Sequence, residues 1–236
     1  MPLNKKSKKI KKLEEKRETD CLRYEWIPDP DQETPVRETF FKLGDWDDKL
    51  YQSLTHESYV NGFWIAVLND YFSPPEFFIQ PELRLGNSSR VDLMVSKLEK
   101  NVDAKTLKFT PVIVFEGKSA DPSHREETLR EQTRRYAATA TSQAAHNLDH
   151  IWCISATGQF VAFYHFRRTS TNGTMRPICV DQEGVLKIGK IRDESQRDQW
   201  FNVGEECGKV QFICRFIAEQ IMANSTPDST EIVFYN

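Results

Sequence analysis

One nine-residue stretch constrains the fold of this chain more than any other feature of its sequence. Residues 110–118 are mostly apolar in both sets of alternating positions until they end in Glu116, Gly117 and Lys118. A strand that is apolar on both faces belongs in the centre of a sheet that is covered on both sides. We therefore expect an α/β protein with a carboxylate and an ammonium group at the end of a buried strand.

The hydrophobic period predicts the other elements. Val60, Trp64, Val67 and Leu68 recur at helical spacing and predict a helix over 57–72, which Ser73-Pro74-Pro75 ends. The remaining predicted helices are around 46–56, 124–146 and 210–222. The predicted strands are 77–85, 90–98, 110–118, 150–156, 160–166, 175–180, 185–191 and a closing strand at 231–235.

Charge divides the chain into a basic tail and an acidic body. Residues 1–17 carry a net charge of +6, whereas the whole chain of 236 residues carries −3. We expect a disordered tail over 1–20 and a single domain over 21–236, with a core at about 46–167 and a C-terminal elaboration at 168–236. The tail fits a nuclear-import signal, a nucleic-acid-binding arm or a solvated segment. The acidic body argues against broad, unselective binding of nucleic acid.

Compartment signals are few. The longest apolar run, residues 63–68, is too short to cross a bilayer, and no apolar segment follows the basic stretch as it would in a signal peptide. Five scattered cysteines without a C-x-x-C pair do not indicate a disulfide framework or a zinc site. We expect an intracellular protein in a reduced compartment, with no membrane partner, and the tail indicates the nucleus.

Strand alternation defines the faces on which the polar residues lie. In residues 90–96 it places Asp92 on one face with Arg90, Met94 and Ser96, and it places Val91, Leu93 and Val95 on the other. In residues 110–118 it places Glu116 and Lys118 on one face, together with Val112 and Val114, and it places Ile113 and Phe115 on the other.

Asp92, Glu116 and Lys118 form a set suited to phosphodiester hydrolysis. Two carboxylates on neighbouring strands are hard oxygen ligands that suit Mg²⁺, which would polarise a phosphate and lower the pKa of a bound water. Lys118 would hold that water or help to deprotonate it. The alternative is an interstrand ion pair between Lys118 and Asp92 or Glu116 that has no catalytic role.

These residues carry a resemblance to a known family. Arg90-Val91-Asp92, followed after 23 residues by Glu116-Gly117-Lys118, resembles the PD-(D/E)XK nuclease superfamily. The resemblance implies a restriction-endonuclease-like core (αβββαβ, a central mixed sheet flanked by helices) over about 46–167, with a C-terminal extension and a basic N-terminal tail. It also implies that Asp92 and Glu116 bind Mg²⁺ or Mn²⁺, that the carbonyl of Phe115 or Gly117 assists, and that Lys118 serves the attacking water. Val91 replaces the proline of the family motif and removes no ligand.

A second motif supports the same family. Gln132-Thr133-Arg134-Arg135-Tyr136 resembles the Q-x-x-x-Y signature of RecB-like and phage-exonuclease-like members. A spacing of four places Gln132 and Tyr136 on one helix face, where they would orient the metal shell or contact the nucleic-acid backbone. Arg134 adds a cation for phosphate contact. The alternative is a tyrosine packed on the sheet and a glutamine at the helix surface.

Many family members also have a metal-proximal Glu on the first helix. Glu57, at the start of the helix predicted over 57–72, is our candidate metal ligand, and Glu76 and Glu82 compete with it. Glu57 fits equally well as a first-turn residue that the helix dipole favours.

The sequence therefore predicts a metal-dependent nuclease acting on DNA ahead of RNA, with a homodimer as one way to cut two strands. Chain organisation outside the core resembles that of standalone nuclease-like proteins of filamentous fungi. The alternative function is a catalytically silent nuclease fold that binds nucleic acid or another protein. No cofactor motif supports a small-molecule enzyme such as an oxidoreductase.

Overall fold

The computed structural model of the chain describes residues 47–85, 89–101, 106–121, 126–144, 148–169, 173–181, 184–189 and 198–224. These residues form a mixed eight-stranded sheet flanked by helices. The elements in chain order are α1 (Asp47–Ser53), α2 (Glu57–Tyr71), β1 (Phe77–Leu85), β2 (Ser89–Asn101), β3 (Thr106–Lys118), α3 (Glu126–Gln143), β4 (His150–Thr157), β5 (Phe160–Arg167), β6 (Thr174–Val180), β7 (Leu186–Ile188), β8 (Phe201–Asn202) and α4 (Cys207–Met222). The tail predicted over 1–20 and the closing strand predicted at 231–235 lie outside the described residues.

The sheet is mostly antiparallel, with one parallel pairing at its centre. Its strands lie in the order β1 to β7, and β8 pairs with β5. Strands β3 and β4 run parallel, and the other described pairs are antiparallel. Parallel strands need a crossover connection, and α3 provides it. Helix α3 therefore begins beside the carboxyl end of β3, where Glu116 and Lys118 lie.

Both faces of the sheet are covered, as the pattern of residues 110–118 predicts. On one face the ring of Phe115 lies 5.7 Å from that of Trp64 on α2, and Phe163 of β5 lies 6.0 Å from the same tryptophan. On the other face Val114 is buried in a cluster with Ala137 of α3. The predicted α/β fold with a helix-flanked central sheet is confirmed at this level of description.

The C-terminal elements attach to both layers. Phe216 of α4 packs against Trp152 of β4, with 5.7 Å between ring centroids, on the face that α2 also covers. On the opposite face Arg130 of α3 forms an ion pair with Asp198 at 3.2 Å, and the Tyr164 hydroxyl donates a hydrogen bond to Asp198 at 3.2 Å. These contacts hold the segment before β8 against α3 and β5.

The ends of the elements differ modestly from the prediction. Strands β2 and β3 extend beyond the predicted 90–98 and 110–118, because the polar residues at their outer ends still pair, as in Glu99 with Lys108. Helix α4 begins at Cys207 rather than at residue 210, because the buried Cys207 and Gly208 continue its inner face. The two-residue strand β8 is too short to produce a hydrophobic period, so the sequence could not indicate it.

The predicted faces of β2 and β3 need two corrections. Val91 packs in the same cluster as Met94, on the α3 side, whereas Leu93 and Val95 pack on the α2 side. The strict alternation therefore breaks next to Asp92. A register shift between Val95 and Ser96 of β2 interrupts the pairing of β2 with β3. Val112 of β3 packs on the same side of the sheet as Ile113.

Strand β1 lies at the edge of the described sheet and is irregular in its middle. Pro81 pairs with Leu93 of β2, and the next residue, Glu82, has a φ of 51°. Glu82 pairs with none of the described residues of β2, and it stands opposite Asp92 of that strand. This irregularity lies directly beside the carboxylate that the sequence assigns to a site.

A buried histidine lies in β5. His165 is 2% exposed, its ring lies 4.8 Å from that of Trp152, and neither of its nitrogens has a hydrogen-bond partner among the described residues. Burial lowers the pKa of His165 to about 3, and the charges of His150, Arg176 and Arg167 act in the same direction.

The cysteines correct one expectation from the sequence. Cys207 is disulfide-bonded, although the spacing of the cysteines in the sequence indicates no disulfide framework. Cys153, Cys179 and Cys214 are free. The scatter of the cysteines along the sequence gives no sign of this bond. Among the described helices, none combines the length and the apolar character that a membrane crossing requires.

Candidate functional site

Three chain segments bring charged side chains together at one end of the sheet. The Lys118 Nζ atom lies 2.7 Å from Glu116 Oε1 on the same strand, 3.5 Å from Asp92 Oδ2 on β2 and 3.5 Å from Glu57 Oε2 at the start of α2. Sequence reasoning named all four residues, and the structure places them in one cluster around a single ammonium group.

Burial differs strongly within this cluster. The side chain of Glu116 is 1% exposed, those of Asp92 and Lys118 are 14% and 16% exposed, and that of Glu57 is 47% exposed. The cluster therefore extends from the sheet interior to solvent, with Glu116 innermost. An ion pair at the buried end is stable only if its charges are well partnered.

Backbone geometry orients Asp92. The Gly117 N–H donates a hydrogen bond to Asp92 Oδ2 at 2.9 Å. A backbone donor that points at a carboxylate is a charge-assisted hydrogen bond, which is about twice as strong as a neutral one. The glycine between the two site residues of β3 thus fixes the carboxylate on the neighbouring strand.

Helix α3 supplies the partner of the buried carboxylate. The Gln132 Nε2 group donates hydrogen bonds to Glu116 Oε1 and to the Tyr136 hydroxyl, the latter at 3.0 Å. Gln132 and Tyr136 therefore share the helix face that looks onto the cluster, as their spacing predicts. The alternative in which Gln132 lies at the helix surface away from the sheet does not match this geometry.

Burial and neighbouring charges perturb the pKa values of the cluster. Burial raises the pKa of the Glu116 carboxyl to about 7, and the Asp92 charge acts in the same direction, against the opposing effect of Lys118. Burial also raises the pKa of Asp92, although the Gly117 N–H and Lys118 oppose the shift. Burial alone would lower the pKa of Lys118, but its hydrogen bond to Glu116 and the surrounding carboxylates raise it. Lys118 therefore stays protonated at neutral pH.

The donor set of the cluster consists of carboxylate oxygens, which are the ligands that divalent cations such as Mg²⁺ prefer. Among the described residues, no three His, Cys, Asp or Glu side chains are arranged to hold one metal ion. Glu116 Oε2 is nevertheless buried without a hydrogen-bond partner in the described part of the chain. Mg²⁺ in proteins often binds one or two carboxylates and keeps several waters. Glu116 and Asp92 are therefore the residues that could hold such an ion, and Lys118 Nζ lies within 3.5 Å of both carboxylates.

The other predicted site residues lie apart from the cluster in the contacts that the structure shows. Arg134 forms a bidentate ion pair with Glu131 on the surface of α3, with distances of 2.7 Å and 2.8 Å. Glu82 pairs with Arg90 at 3.3 Å, and Glu76 is exposed beside the start of β1. Of the three acidic residues that competed for the role near the first helix, only Glu57 contacts Lys118.

Sequence reasoning missed the role of three residues next to the site. Thr133 and Ser155 share a hydrogen bond of 2.8 Å inside the protein, where Ser155 of β4 is the registered neighbour of Glu116. Asn61, four residues after Glu57 on α2, lies against Gly117. The spacing of four from Glu57 could have indicated Asn61, and the polar Ser155 within an apolar strand could have indicated the buried pair.

Comparison with known proteins does not assign the chain to a family. No protein-family model matches the chain, and no curated protein matches it. Among solved structures it is similar to the type IIG restriction endonuclease BpuSI, with 14% sequence identity and a TM-score of 0.36. The match covers 68% of this chain and 16% of that one. At this TM-score the similarity carries no assignment of fold or function.

Proposed function

We propose that this protein is a metal-dependent nuclease of the PD-(D/E)XK type that hydrolyses phosphodiester bonds of DNA, with RNA as the second choice. The observation that carries the proposal is the convergence of Asp92, Glu116 and Glu57 on the Lys118 ammonium group at one end of a central sheet. Perturbed pKa values in such a cluster are typical of functional sites.

Glu116 and Asp92 would hold a Mg²⁺ or Mn²⁺ ion together with the carbonyl of Phe115 or Gly117, and Glu57 is a further candidate ligand from α2. Such an ion supplies a Lewis acid for the phosphate and lowers the pKa of a bound water. The unpartnered Glu116 Oε2 atom supports this role, because a buried carboxylate oxygen without a donor is costly unless a ligand uses it.

The residues of the chain have separate roles in this proposal. Lys118 stays an ammonium group, so it holds the attacking water and stabilises negative charge on the phosphate rather than removing a proton. Gln132 orients Glu116 through its side-chain amide, and the Gly117 N–H orients Asp92. Tyr136 fixes Gln132. We assign Arg134 a peripheral phosphate contact at most, because Glu131 already neutralises it.

A second candidate function follows from the ion pairs. Because Lys118 contacts all three carboxylates, the cluster is partly neutralised without any metal, as in a nuclease fold that binds nucleic acid or another protein without cutting. The basic tail leads to the further proposal that such a protein works in the nucleus. The cutting of two strands leads to the proposal that it forms a homodimer.

Cleavage of supercoiled and linear DNA, single- and double-stranded, in Mg²⁺, Mn²⁺ or EDTA tests the nuclease proposal. Glu116→Gln keeps the size of the side chain and should abolish the metal-dependent cleavage. The matched control is Glu99→Gln, which alters an exposed glutamate on β2 that pairs with Lys108. Folded wild-type protein that cuts nothing with any metal would favour the silent module. Equal activity of wild type and Glu116→Gln would remove Glu116 from the mechanism.

A further inference from the structure

Gly117 is enclosed on the side where other residues carry a side chain. A Cβ atom built on Gly117 would overlap Asn61 Oδ1 and would lie 2.9 Å from the ring of Phe115. Real Cβ atoms essentially never come this close to other heavy atoms, so no larger residue fits unless Asn61 moves. Asn61 therefore packs directly on the backbone between Glu116 and Lys118.

The amide oxygen of Asn61 has an unusual environment. Its Oδ1 atom is buried and has no hydrogen-bond partner among the described residues. A buried, unpaired amide oxygen destabilises a protein, and a small apolar side chain at this position would avoid that effect. Because Oδ1 accepts no hydrogen bond among the described residues, Asn61 acts on Gly117 through direct packing.

Asn61 also belongs to a helix face that already contacts the site. Glu57, one turn earlier on α2, contacts Lys118 at 3.5 Å. Residues four apart lie on one side of a helix, so α2 contacts two consecutive residues of β3, Gly117 through Asn61 and Lys118 through Glu57. Gly117 in turn donates to Asp92.

We propose that Asn61 is a positioning residue of the site, which holds the Gly117 peptide so that its N–H stays directed at Asp92. Asn61 acts through the backbone, and it contacts neither the phosphate nor the attacking water. The inference rests on the proposed nuclease function for its catalytic meaning, but the positioning itself is observable without activity. It also explains why glycine stands between Glu116 and Lys118 in this chain.

Hydrogen exchange of the Gly117 amide, followed by NMR in wild type and in Asn61→Ala, measures the positioning directly. We expect the exchange of this amide to become about tenfold faster in Asn61→Ala, because the peptide loses its support and the hydrogen bond to Asp92 opens more often. Asn69→Ala is the matched control, since Asn69 is an exposed asparagine on the same helix. Unchanged Gly117 exchange in folded Asn61→Ala would overturn the inference.

A double-mutant cycle of Asn61→Ala and Gly117→Ala gives an independent readout by thermal unfolding. Gly117→Ala alone should lower the Tm, and the double variant should recover part of the loss, because the new methyl group enters the space that the amide leaves. Gly62→Ala is the control, since a Cβ atom there meets no atom within 4 Å. A double variant that is no more stable than Gly117→Ala would overturn the contact on which the proposal depends.

Cleavage kinetics then separate the two proposals. Asn61→Ala should lower kcat about tenfold with little change in KM, as expected when site geometry rather than substrate binding is disturbed. If wild type does not cut DNA while Asn61→Ala still accelerates Gly117 exchange, the proposed nuclease function fails and the positioning role stands. If wild type cuts DNA and Asn61→Ala changes neither exchange nor kcat, the positioning role fails and the nuclease function stands.

Discussion

The Lys118 Nζ atom lies 2.7 Å from Glu116 Oε1, two positions away on the same strand, and this buried ion pair has its acidic partner 1% exposed. Asp92 and Glu57 add two further carboxylates at 3.5 Å from the same ammonium group. One cation therefore balances three acidic side chains, and the sign of this imbalance governs how the site responds to substitution, to pH and to metal.

Replacement of Lys118 by methionine should destabilise the metal-free protein and increase its stabilisation by Mn²⁺. Removing one partner of a buried ion pair costs about 3–5 kcal/mol, because the remaining charges lose their compensation. A divalent cation would supply that compensation, whereas cleavage should be lost. Thermal unfolding with and without Mn²⁺ measures both effects.

Lys108→Met is the control for this variant. Lys108 forms an exposed ion pair with Glu99 at 3.1 Å, and such a pair contributes about 1 kcal/mol or less. Equal losses of stability in the two variants would show that the pair of Lys118 with Glu116 is an ordinary surface-type contact.

Metal-free stability should fall as the pH rises from 4.5 to about 7, because of Glu116. Burial raises its pKa from 4.5 to about 7, so in that window the folded protein holds a proton that the unfolded chain has released. The stabilising contribution is complete below pH 4.5 and is lost as the pH passes the folded pKa, with a total on the order of 2–3 kcal/mol.

Urea unfolding of wild type and Glu116→Gln at several pH values isolates this contribution. The neutral amide does not titrate, so the difference in unfolding free energy between the two proteins should change across the window and be constant below it. A difference that stays constant from pH 4 to pH 8 would contradict the raised pKa.

Gln132→Ala should lower cleavage and shift the pH–rate profile to higher pH. Its amide donates to Glu116 Oε1, and loss of a donor to a carboxylate favours the protonated form. A hydrogen bond to a charged group contributes about 1.5–3 kcal/mol. Tyr136→Phe should give a smaller effect in the same direction, since the tyrosine acts through Gln132.

Gln143→Ala provides the comparison for these two variants, because Gln143 is an exposed glutamine at the end of α3. Its pH–rate profile should coincide with that of wild type. A Gln132→Ala profile that keeps its midpoint while its height falls would assign Gln132 a role other than orienting Glu116.

His165→Phe should make the protein less sensitive to acid. Burial lowers the pKa of His165 from 6.5 to about 3, so the unfolded chain binds a proton that the folded protein rejects. The contribution of His165 to the free energy of unfolding is therefore complete above pH 6.5 and is lost as the pH decreases toward 3, with a total on the order of 5 kcal/mol.

Unfolding free energies at pH 7 and pH 5 measure this dependence. The phenylalanine variant should lose less stability between the two values than wild type. An unaltered difference in His165→Phe would place the acid sensitivity in other groups.

Hydrophobic periodicity predicted most of the fold because burial on both faces of β3 leaves few alternatives. The central elements follow from apolar patterns that the structure confirms, such as Trp64 and Phe115 packing across one face. The pairing of Glu116 with Lys118 also followed from strand alternation. These features depend on local spacing, which a sequence contains directly.

Other features depend on contacts between distant segments. The strict alternation of β2 breaks at Val91, next to the position where Glu82 of β1 has no pairing partner on β2. The residues around Val91 in the sequence do not indicate this break. The contact of Asn61 with Gly117 joins α2 to β3. A glycine between two charged residues does not by itself indicate such a contact. The assignment of Arg134 to the site overlooked Glu131, which is three residues away and neutralises it.

The edge strand β1 also bears on how two copies of this chain could associate. Pro81 has no amide proton to offer, and the left-handed backbone of Glu82 turns the next peptide out of the regular hydrogen-bonding direction. A second chain approaching this edge would meet an interrupted row of donors and acceptors. Pairing of two copies into a continuous sheet through β1 is therefore disfavoured, and a homodimer that cuts two strands together would use another surface of the protein.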